Sequence, residues 1–472
     1  MKHAFTALPF VVLLAACVPD GIVPRETQLQ PNTIGLGNEP APSVETGWWT
    51  GLGDPQLDHL MADALANNPS LGEALARLRS AKAGMEDANA QLYPHVNFNA
   101  QDEYTRFSNR YIIPPPFGGT FQWYGTVEGD LSWTIDFWGK MAASLAKAKS
   151  LQDAARLDHD AARLAVSGAV VSTYVNLDRA YKLADIAART EQDRANTVTL
   201  TKRRVIDGID SQVEEQEAEA LLAQAQQART AADSERDIMV HALAALIGRG
   251  ADAYAGMTRP ALKLDAALPL PATLPADLLA RRPDILAAEA RVDAALSGRK
   301  VAKAAFYPNV DLLASAGWAA IGLGPLFKPE SAQYGAGPAI NLPLFDAGEL
   351  RAQYSGAVAD IDYTVADYND TVTQAVKQTA DALTQIRSLQ RQRVQHEAEL
   401  AAAEKAYRLA QTRYRVGLSN QISLLEVENT VFNARQGEVS LASESAIQRV
   451  TLLLAVGGDF KSAATSTQSA SR

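Results

Sequence analysis

Two kinds of hydrophobic pattern alternate along this chain, and each occurs twice. From Trp123 a period of two puts Trp123, Val127, Leu131, Trp133, Ile135 and Phe137 on one face and Thr126, Glu128, Asp130, Ser132, Thr134 and Asp136 on the other. A shorter alternation precedes it, with His95, Asn97, Asn99, Gln101 and Glu103 interleaved with Val96, Phe98, Ala100 and Tyr104. These predict strands at about 95–107 and 123–137, with Pro114-Pro115-Pro116 and Gly118-Gly119 in the loop between them. The pair recurs later. Val310, Leu312, Ala314, Ala316 and Trp318 alternate with Asn309, Asp311, Ser315 and Gly317, and Ala336, Ile340, Leu342 and Leu344 form the apolar face of a fourth strand. The predicted ranges are about 309–318 and 334–345, and Pro338 weakens the last because it removes a ladder donor.

Around the strands the period is that of a helix. Residues 54–92 carry Leu57, Leu60, Met61, Ala64 and Leu65 on one face, are interrupted at Asn67-Asn68-Pro69 and end at Tyr93-Pro94. From Gly139 to about Arg204 the chain is rich in Ala, Leu, Lys and Asp and free of proline. A helix of about 65 residues spans roughly 100 Å. A second such stretch runs from Glu349 to about Arg415, and partner helices return over 211–246 and 419–456. Leu424, Val427, Val431, Ala434 and Leu441 recur at heptad-like spacing, which predicts antiparallel coiled-coil hairpins. The same spacing also suits a solid helical bundle.

The two halves are copies. Pro69 and Pro283 lie 214 positions apart, as do Tyr93-Pro94 and Tyr307-Pro308, while Gly139 and Gly348, Gly208 and Gly417, and Gly248 and Gly457 are each 209 apart. Constant spacing with one small deletion is a tandem duplication, with repeats over 54–257 and 275–457. A proline-marked linker at 258–274 joins them, and a Ser/Thr/Ala-rich tail at 458–472, expected to be disordered, follows.

The strands' alternation, with aromatics at their ends, is that of membrane strands wet on one side and in lipid on the other. Four strands do not close such a barrel, and open edges are not tolerated in lipid, so several chains have to share one. A soluble sandwich would need more strands than these four.

Composition narrows the partners. The chain has 472 residues, 47% of them hydrophobic, and a net charge of −10, which argues against nucleic acid. Its six histidines are scattered, and no H-E-x-x-H, G-x-S-x-G or P-loop is present, so an enzyme is not expected. Cys17 is the one cysteine, which excludes a disulfide framework and a Cys-based metal site. Lys2 and His3 precede a short apolar core, Ala4 to Leu14, the size of a signal peptide over 1–16. Leu14-Ala15-Ala16-Cys17 resembles a bacterial lipoprotein box; an ordinary signal peptide is the alternative. The resemblance implies a covalent diacylglycerol and an N-acyl chain on Cys17, no other cofactor, and, from Val18, delivery to the outer membrane. Residues 17–53 read as an extended arm in which Trp48-Trp49 should pack on the body.

Taken in order, several motifs resemble the TolC-like outer-membrane efflux channels, in the lipoprotein subfamily serving resistance-nodulation-division (RND) pumps. They are Leu14-Ala15-Ala16-Cys17, Trp48-Trp49, Asp54-Pro55, Asn68-Pro69, Ile135-Asp136-Phe137-Trp138-Gly139, Arg281-Arg282-Pro283-Asp284-Ile285, Phe306-Tyr307-Pro308, Asn341-Leu342-Pro343-Leu344-Phe345-Asp346-Ala347-Gly348 and Tyr414-Arg415-Val416-Gly417. The resemblance implies an α+β membrane protein: a homotrimer whose twelve-stranded β-barrel, four strands per chain, continues into a periplasmic α-helical coiled-coil barrel. The partners it implies are outer-membrane lipid, a periplasmic membrane-fusion adaptor and an inner-membrane RND-type pump, with drugs or other small toxic compounds as cargo. An exit duct for type I protein secretion and a coiled-coil lipoprotein scaffold are the alternatives. By the same resemblance the hairpin turns at Gly208 and at Val416-Gly417 meet the adaptor, and acids just beyond line the constriction. The family's two carboxylate positions after the second turn read Ser423 and Glu426 here, and the first copy offers Glu214 and Glu217.

Overall fold

A computed structural model of the chain describes residues 21–30, 46–110, 112–113, 115–264 and 281–460. The signal segment, Cys17, most of the arm, part of the expected linker and nearly all of the expected tail lie outside the described residues. The described helices are α1 (Pro55–Asn67), α2 (Pro69–Ala90), α3 (Lys140–Ile206), α4 (Gln212–Leu246), α5 (Pro283–Ala304), α6 (Glu349–Arg415) and α7 (Gln421–Ala455). The strands are β1 (His95–Arg106), β2 (Phe121–Thr134), β3 (Asn309–Ile321) and β4 (Ala332–Asn341). Contacts divide the chain into two compact units.

The first unit, built from Met1–Gln28, Arg77–Ala155 and Ala287–Tyr368, holds the sheet. Its order is β1-β2-β3-β4, antiparallel throughout. The duplication supplies two hairpins, and the β2–β3 pairing fuses them into one surface. Register fixes the faces, because directly paired residues point the same way. Val127 lies between Ala100 and Trp318, Leu131 between Val96 and Ala314, and Trp123 opposite Tyr104. On the other face Glu128 lies between Asn99 and Gly317, and Asp130 between Asn97 and Ser315. On the apolar face Val96, Phe98, Tyr334 and Ile340 of the two outer strands are each at least 72% exposed, and Val127 and Leu131 of β2 are half-buried. Tyr104 stacks on Phe121 with centroids 5.6 Å apart, and Trp318 meets Phe327 edge-on at 6.0 Å, so aromatics gather at the loop end. On the polar face Asn99 donates to Asp130 at 2.6 Å and Thr134 to Asp311 at 2.6 Å.

β4 ends earlier than the pattern predicts. Leu342 and Leu344 lie beyond it, because Pro343 between them has no N–H for the ladder. Pro338 is accommodated inside β4, whose outer edge has no neighbour among the described residues, a place where sheets tolerate proline. At the helix end of the sheet, Trp138 stacks on Tyr307 at 4.8 Å and donates Nε1–H to the Pro308 carbonyl at 2.9 Å. The arm is tied to this unit as well. The Arg25 and Glu26 amides donate to Asp362 at 2.7 and 3.0 Å, and Ile22 packs on Phe306, Tyr354 and Val358.

The second unit comprises Leu29–Ala76, Arg156–Leu286 and Asn369–Arg472. Its core brings Leu57, Met61 and Ala64 of α1 onto Val170, Tyr174 and Leu177 of α3, Leu243 of α4 and Val450 and Leu453 of α7. Trp48 is buried in this core, in edge contact with Trp49. Asp54 caps α1 by accepting from the Gln56 amide at 3.0 Å, and its other oxygen accepts from the Tyr174 hydroxyl and the Ala261 amide, both at 2.7 Å. In the α6–α7 hairpin, Val431 and Ala434 pack on Ala403, the heptad contact the spacing predicts.

The duplication repeats a junction here with different side chains. Gly248 and Gly457 end α4 and α7 in left-handed backbone, and a Cβ on either would stand 2.3 Å from the carbonyl oxygen of Asn67 or Arg281 respectively. Asn68 donates to the Leu246 carbonyl at 2.8 Å, and its counterpart Arg282 donates to the Ala455 carbonyl at 3.1 Å. Both satisfy a carbonyl left unpaired at a helix C-terminus.

Candidate functional site: the hairpin tips

The two hairpin turns lie in the second unit and are built alike. After α3, the Ile209 amide donates to the Arg204 carbonyl at 2.8 Å and the Gly208 amide to Val205 at 3.0 Å. After α6, Leu418 donates to Arg413 at 2.8 Å and Gly417 to Tyr414 at 3.1 Å. This is the Schellman pattern, and it requires the left-handed φ of 69° at Gly208 and 79° at Gly417. The return helices open on side-chain caps. Ser211 accepts from the Val213 amide at 3.1 Å, and Asn420 accepts from the Ser423 amide at 3.0 Å.

These caps sort the candidate acids. Glu214 closes a capping box: it accepts from the Ser211 amide at 2.9 Å and from the Ser211 hydroxyl, and those bonds hold its carboxyl below the usual glutamate range. Glu217 and Glu426 are exposed on their helices, and Ser423 is engaged by the Asn420 cap. Val416 is exposed beside Gly417.

Beneath the turns a buried polar cluster joins the two tips. Arg204 forks onto Asp210 at 2.7 and 3.0 Å and donates Nη1–H to the Tyr414 carbonyl at 2.9 Å, and its guanidinium lies 4.5 Å from the centre of the Tyr414 ring. The Tyr414 hydroxyl donates to Asp210 at 3.1 Å and sits 3.1 Å from the Thr201 hydroxyl. Arg204 holds the Asp210 carboxyl below its ordinary range, and burial pushes the Tyr414 phenol up. Further along α3 and α7, Arg194 and Glu428 form an ion pair at 3.0 Å with both side chains nearly inaccessible, and Arg194 also donates to Asn429 at 2.9 Å. Burial pushes Glu428 up to about 7 against the pull of Arg194.

Sequence reasoning missed Arg204, Asp210, Arg194 and Glu428. Their partners are mostly distant in sequence, and no local pattern marks such contacts. Glu214 carried a signal that points to its observed place, since Ser-x-x-Glu opening a helix is the capping-box pattern. Large apolar side chains are exposed at both turns, Ile206, Ile209 and Val213 at the first and Val416, Leu418 and Ile422 at the second, and at the first they stand among charged residues such as Arg203 and Asp207.

A duplicated chain with two strand hairpins fused into one sheet, one face apolar and exposed along its outer strands, and long helical hairpins ending in capped, cross-linked tips is built as a subunit of an outer-membrane channel. Residues 60–249 and 274–458 match the outer membrane efflux protein family, and the chain belongs to that family. It is 33% identical over 372 residues to the fusaric acid resistance protein FusA of Burkholderia cepacia, covering 76% of this chain and 69% of that one. It is 29% identical over 447 residues to the multidrug resistance outer membrane protein MdtP of Escherichia coli K12, covering 92% and 91%. Among solved structures, the outer membrane protein VceC of Vibrio cholerae superposes with a TM-score of 0.83 at 33% identity, over 89% of this chain and all of that one. The protein is thus an outer-membrane efflux protein with the α+β architecture that its sequence predicts.

Proposed function

We propose that three copies of this chain form the exit duct of a tripartite efflux system, carrying small toxic compounds from an inner-membrane pump of the RND type, through a periplasmic adaptor, to the exterior. The observation that carries this is the four-stranded sheet, whose apolar face is exposed along its outer strands and whose two outer edges lack a neighbour among the described residues. Repeating it three times closes a twelve-stranded barrel and leaves no edge in lipid. The names of the relatives, resistance proteins for fusaric acid and for multiple drugs, support the cargo class. Cys17 bears the acyl chains and adds a second hold on the membrane, each buried CH₂ contributing about 0.8 kcal/mol. The duct performs no reaction; its chemistry is selection by size and charge.

In this reading the adaptor docks on the turns at Gly208 and Val416-Gly417. Glu217 and Glu426 stand nine residues past their glycines, at equivalent depth, and symmetry makes each a ring of three that draws cations. Glu214 contributes little, because its carboxylate is committed to the Ser211 cap. Single-channel recording in planar bilayers tests the proposal. The parent should conduct with cation preference and be blocked by cobalt hexammine from the tip side, and the Glu217→Gln, Glu426→Gln double variant should lose most of both while forming trimers normally. Protein that forms no pore, or that light scattering shows to be monomeric in detergent, sinks the duct. A double variant that blocks like the parent places the constriction elsewhere.

A further inference from the structure

Charge is uneven around the end of the sheet from which the helices leave. The first turns of α3 (residues 140–151) hold Lys140, Lys147 and Lys149 and no carboxylate, and the last turns of α5 (residues 295–304) hold Arg299, Lys300 and Lys303 and again no carboxylate. The two stretches lie side by side. Trp138, just before α3, stacks on Tyr307, just past α5, and a Cβ on Gly298 would stand 3.7 Å from the Lys147 side chain. The five lysines are exposed, Arg299 is half-buried, and none of the six has an ion pair among the described residues. Asp136, four residues before Lys140, accepts instead from the Ala142 amide at 2.8 Å. The duplication does not account for this charge. Residues 349–360 of α6, the counterpart of the α3 stretch, hold Arg351 against Glu349 and Asp360, and residues 81–90 of α2, the counterpart of the α5 stretch, hold Lys82 against Glu86 and Asp87. A chain of net charge −10 thus gathers six cations without carboxylates at one pair of helix ends.

These cations stand where the apolar face stops. Trp133, at the end of β2 on that face, is 36% exposed and donates Nε1–H to the Leu92 carbonyl at 3.0 Å, and past the strand ends Phe137, Leu344 and Phe345 are exposed. Aromatic side chains with a polar tip mark the level at which hydrocarbon gives way to head groups, and the head-group layer beyond is about 5–7 Å deep. Lys140 and Lys303 lie within one turn of the sheet-side ends of their helices. Lys147, Lys149, Arg299 and Lys300 follow roughly 5–14 Å further along, about a screening length from that layer. We propose that the paired ends of α3 and α5 bind the phosphate groups of anionic phospholipids in the periplasmic leaflet. This rests on the reading of the sheet as the membrane-spanning part, and it adds a lipid preference which that reading does not require. Place and sign set the occupant: a face that ends in interfacial aromatics continues into head groups, and phosphate diesters are the anions at that level. Polybasic segments beside a membrane attract anionic lipid in this way. In a trimer the basic ends of α3 and α5 alternate with the weakly acidic ends of α6 and α2, so anionic lipid gathers at three places around the barrel.

Electron paramagnetic resonance of spin-labelled lipids tests this on the full-length protein reconstituted in phosphatidylcholine vesicles. More label should be immobilised at the protein for phosphatidylglycerol than for phosphatidylcholine. The relative association constant should be about five at about 0.1 M salt and fall toward one at about 1 M, as the screening length drops from about 10 to about 3 Å. Lys140→Gln, Lys147→Gln, Lys149→Gln, Arg299→Gln, Lys300→Gln and Lys303→Gln together should bring the ratio to about one at low salt. Arg106→Gln, Arg110→Gln and Lys328→Gln, at the loop end of the sheet, should leave it unchanged. If the first variant does not assemble, the salt titration of the parent decides. A parent ratio of one, a ratio that salt does not lower, or a ratio that survives loss of the six cations overturns the proposal. So does cosedimentation with purified peptidoglycan that depends on the six cations while no lipid preference is seen. The two readings fail differently. If neither lipid is immobilised, the sheet is not in the bilayer and the duct falls too, whereas equal immobilisation of both leaves the duct and removes only the lipid preference.

Discussion

Glu428 is held between helices with 4% of its surface exposed and Arg194 as its ion-pair partner. Desolvation outweighs that partner and raises the carboxyl from 4.5 to about 7. The sign follows from linkage. A carboxyl raised on folding costs nothing below its unfolded pKa; the cost grows as pH rises from about 4.5 and is complete above about 7. The folded protein should therefore gain roughly 1 kcal/mol from this residue as pH falls from about 8 to about 6. Glu428→Gln should remove that gain, so the melting temperature of the parent should rise relative to that of the variant as pH falls from about 8 to about 6. Parallel slopes would mean that the carboxyl titrates as if it were in water. Asp210 behaves oppositely: its carboxyl is held low by Arg204, so its stabilisation is present at neutral pH and is lost only in stronger acid, outside this window.

Among the helical elements, the glycine turns separate two costs that the sequence presents as one. Gly417 has a positive φ and open space where a Cβ would go, so Gly417→Ala should cost only the left-handed backbone, about 1 kcal/mol. Gly457 has the same backbone need, but its Cβ would meet the Arg281 carbonyl at 2.3 Å. Gly457→Ala should therefore cost about 3 kcal/mol or more and lower the melting temperature well beyond Gly417→Ala. The spacing of these glycines was readable from the sequence and disclosed the duplication. That two of them seat against backbone was not, because a glycine's neighbours leave no local trace. The helices and strands were legible for a related reason: each had to hide or show one face, and the period records that. Leu342 and Leu344 misled, because alternation continued past Pro343 after the ladder had stopped. The junction at Asn68 and Arg282 was visible only as unlike residues before a proline, and its shared task appears when Leu246 and Ala455 are found to need a donor.

At the scale of the whole molecule the sheet decides where the chain resides. Its two faces place Val127 among Ala100 and Trp318 and Glu128 among Asn99 and Gly317. Val127→Arg should cost about 2–4 kcal/mol if that face lies near the middle of the bilayer, whereas Glu128→Gln on the wet face should be nearly silent. The folded fraction after refolding into lipid vesicles measures both. Similar losses from the two substitutions would contradict a membrane-facing sheet. The candidate site was legible at this scale only through family likeness. Composition and periodicity located the turns, and the pairing of Arg204 with Tyr414 across the two copies needed the fold.

The seam between β2 and β3 also governs how the chain can be made. Thr134 and Asp311, bonded across it, are separated by 177 residues, whereas the first hairpin pairs Arg106 with Phe121 across a short loop. Closing so long a loop costs on the order of 5 kcal/mol in chain entropy before any contact repays it, about twice the cost of the hairpin. Local hairpins and helices can form as they emerge, but the joined sheet has to wait until β3 has been synthesised. A product truncated after the first copy therefore retains its own two strands and never acquires the seam.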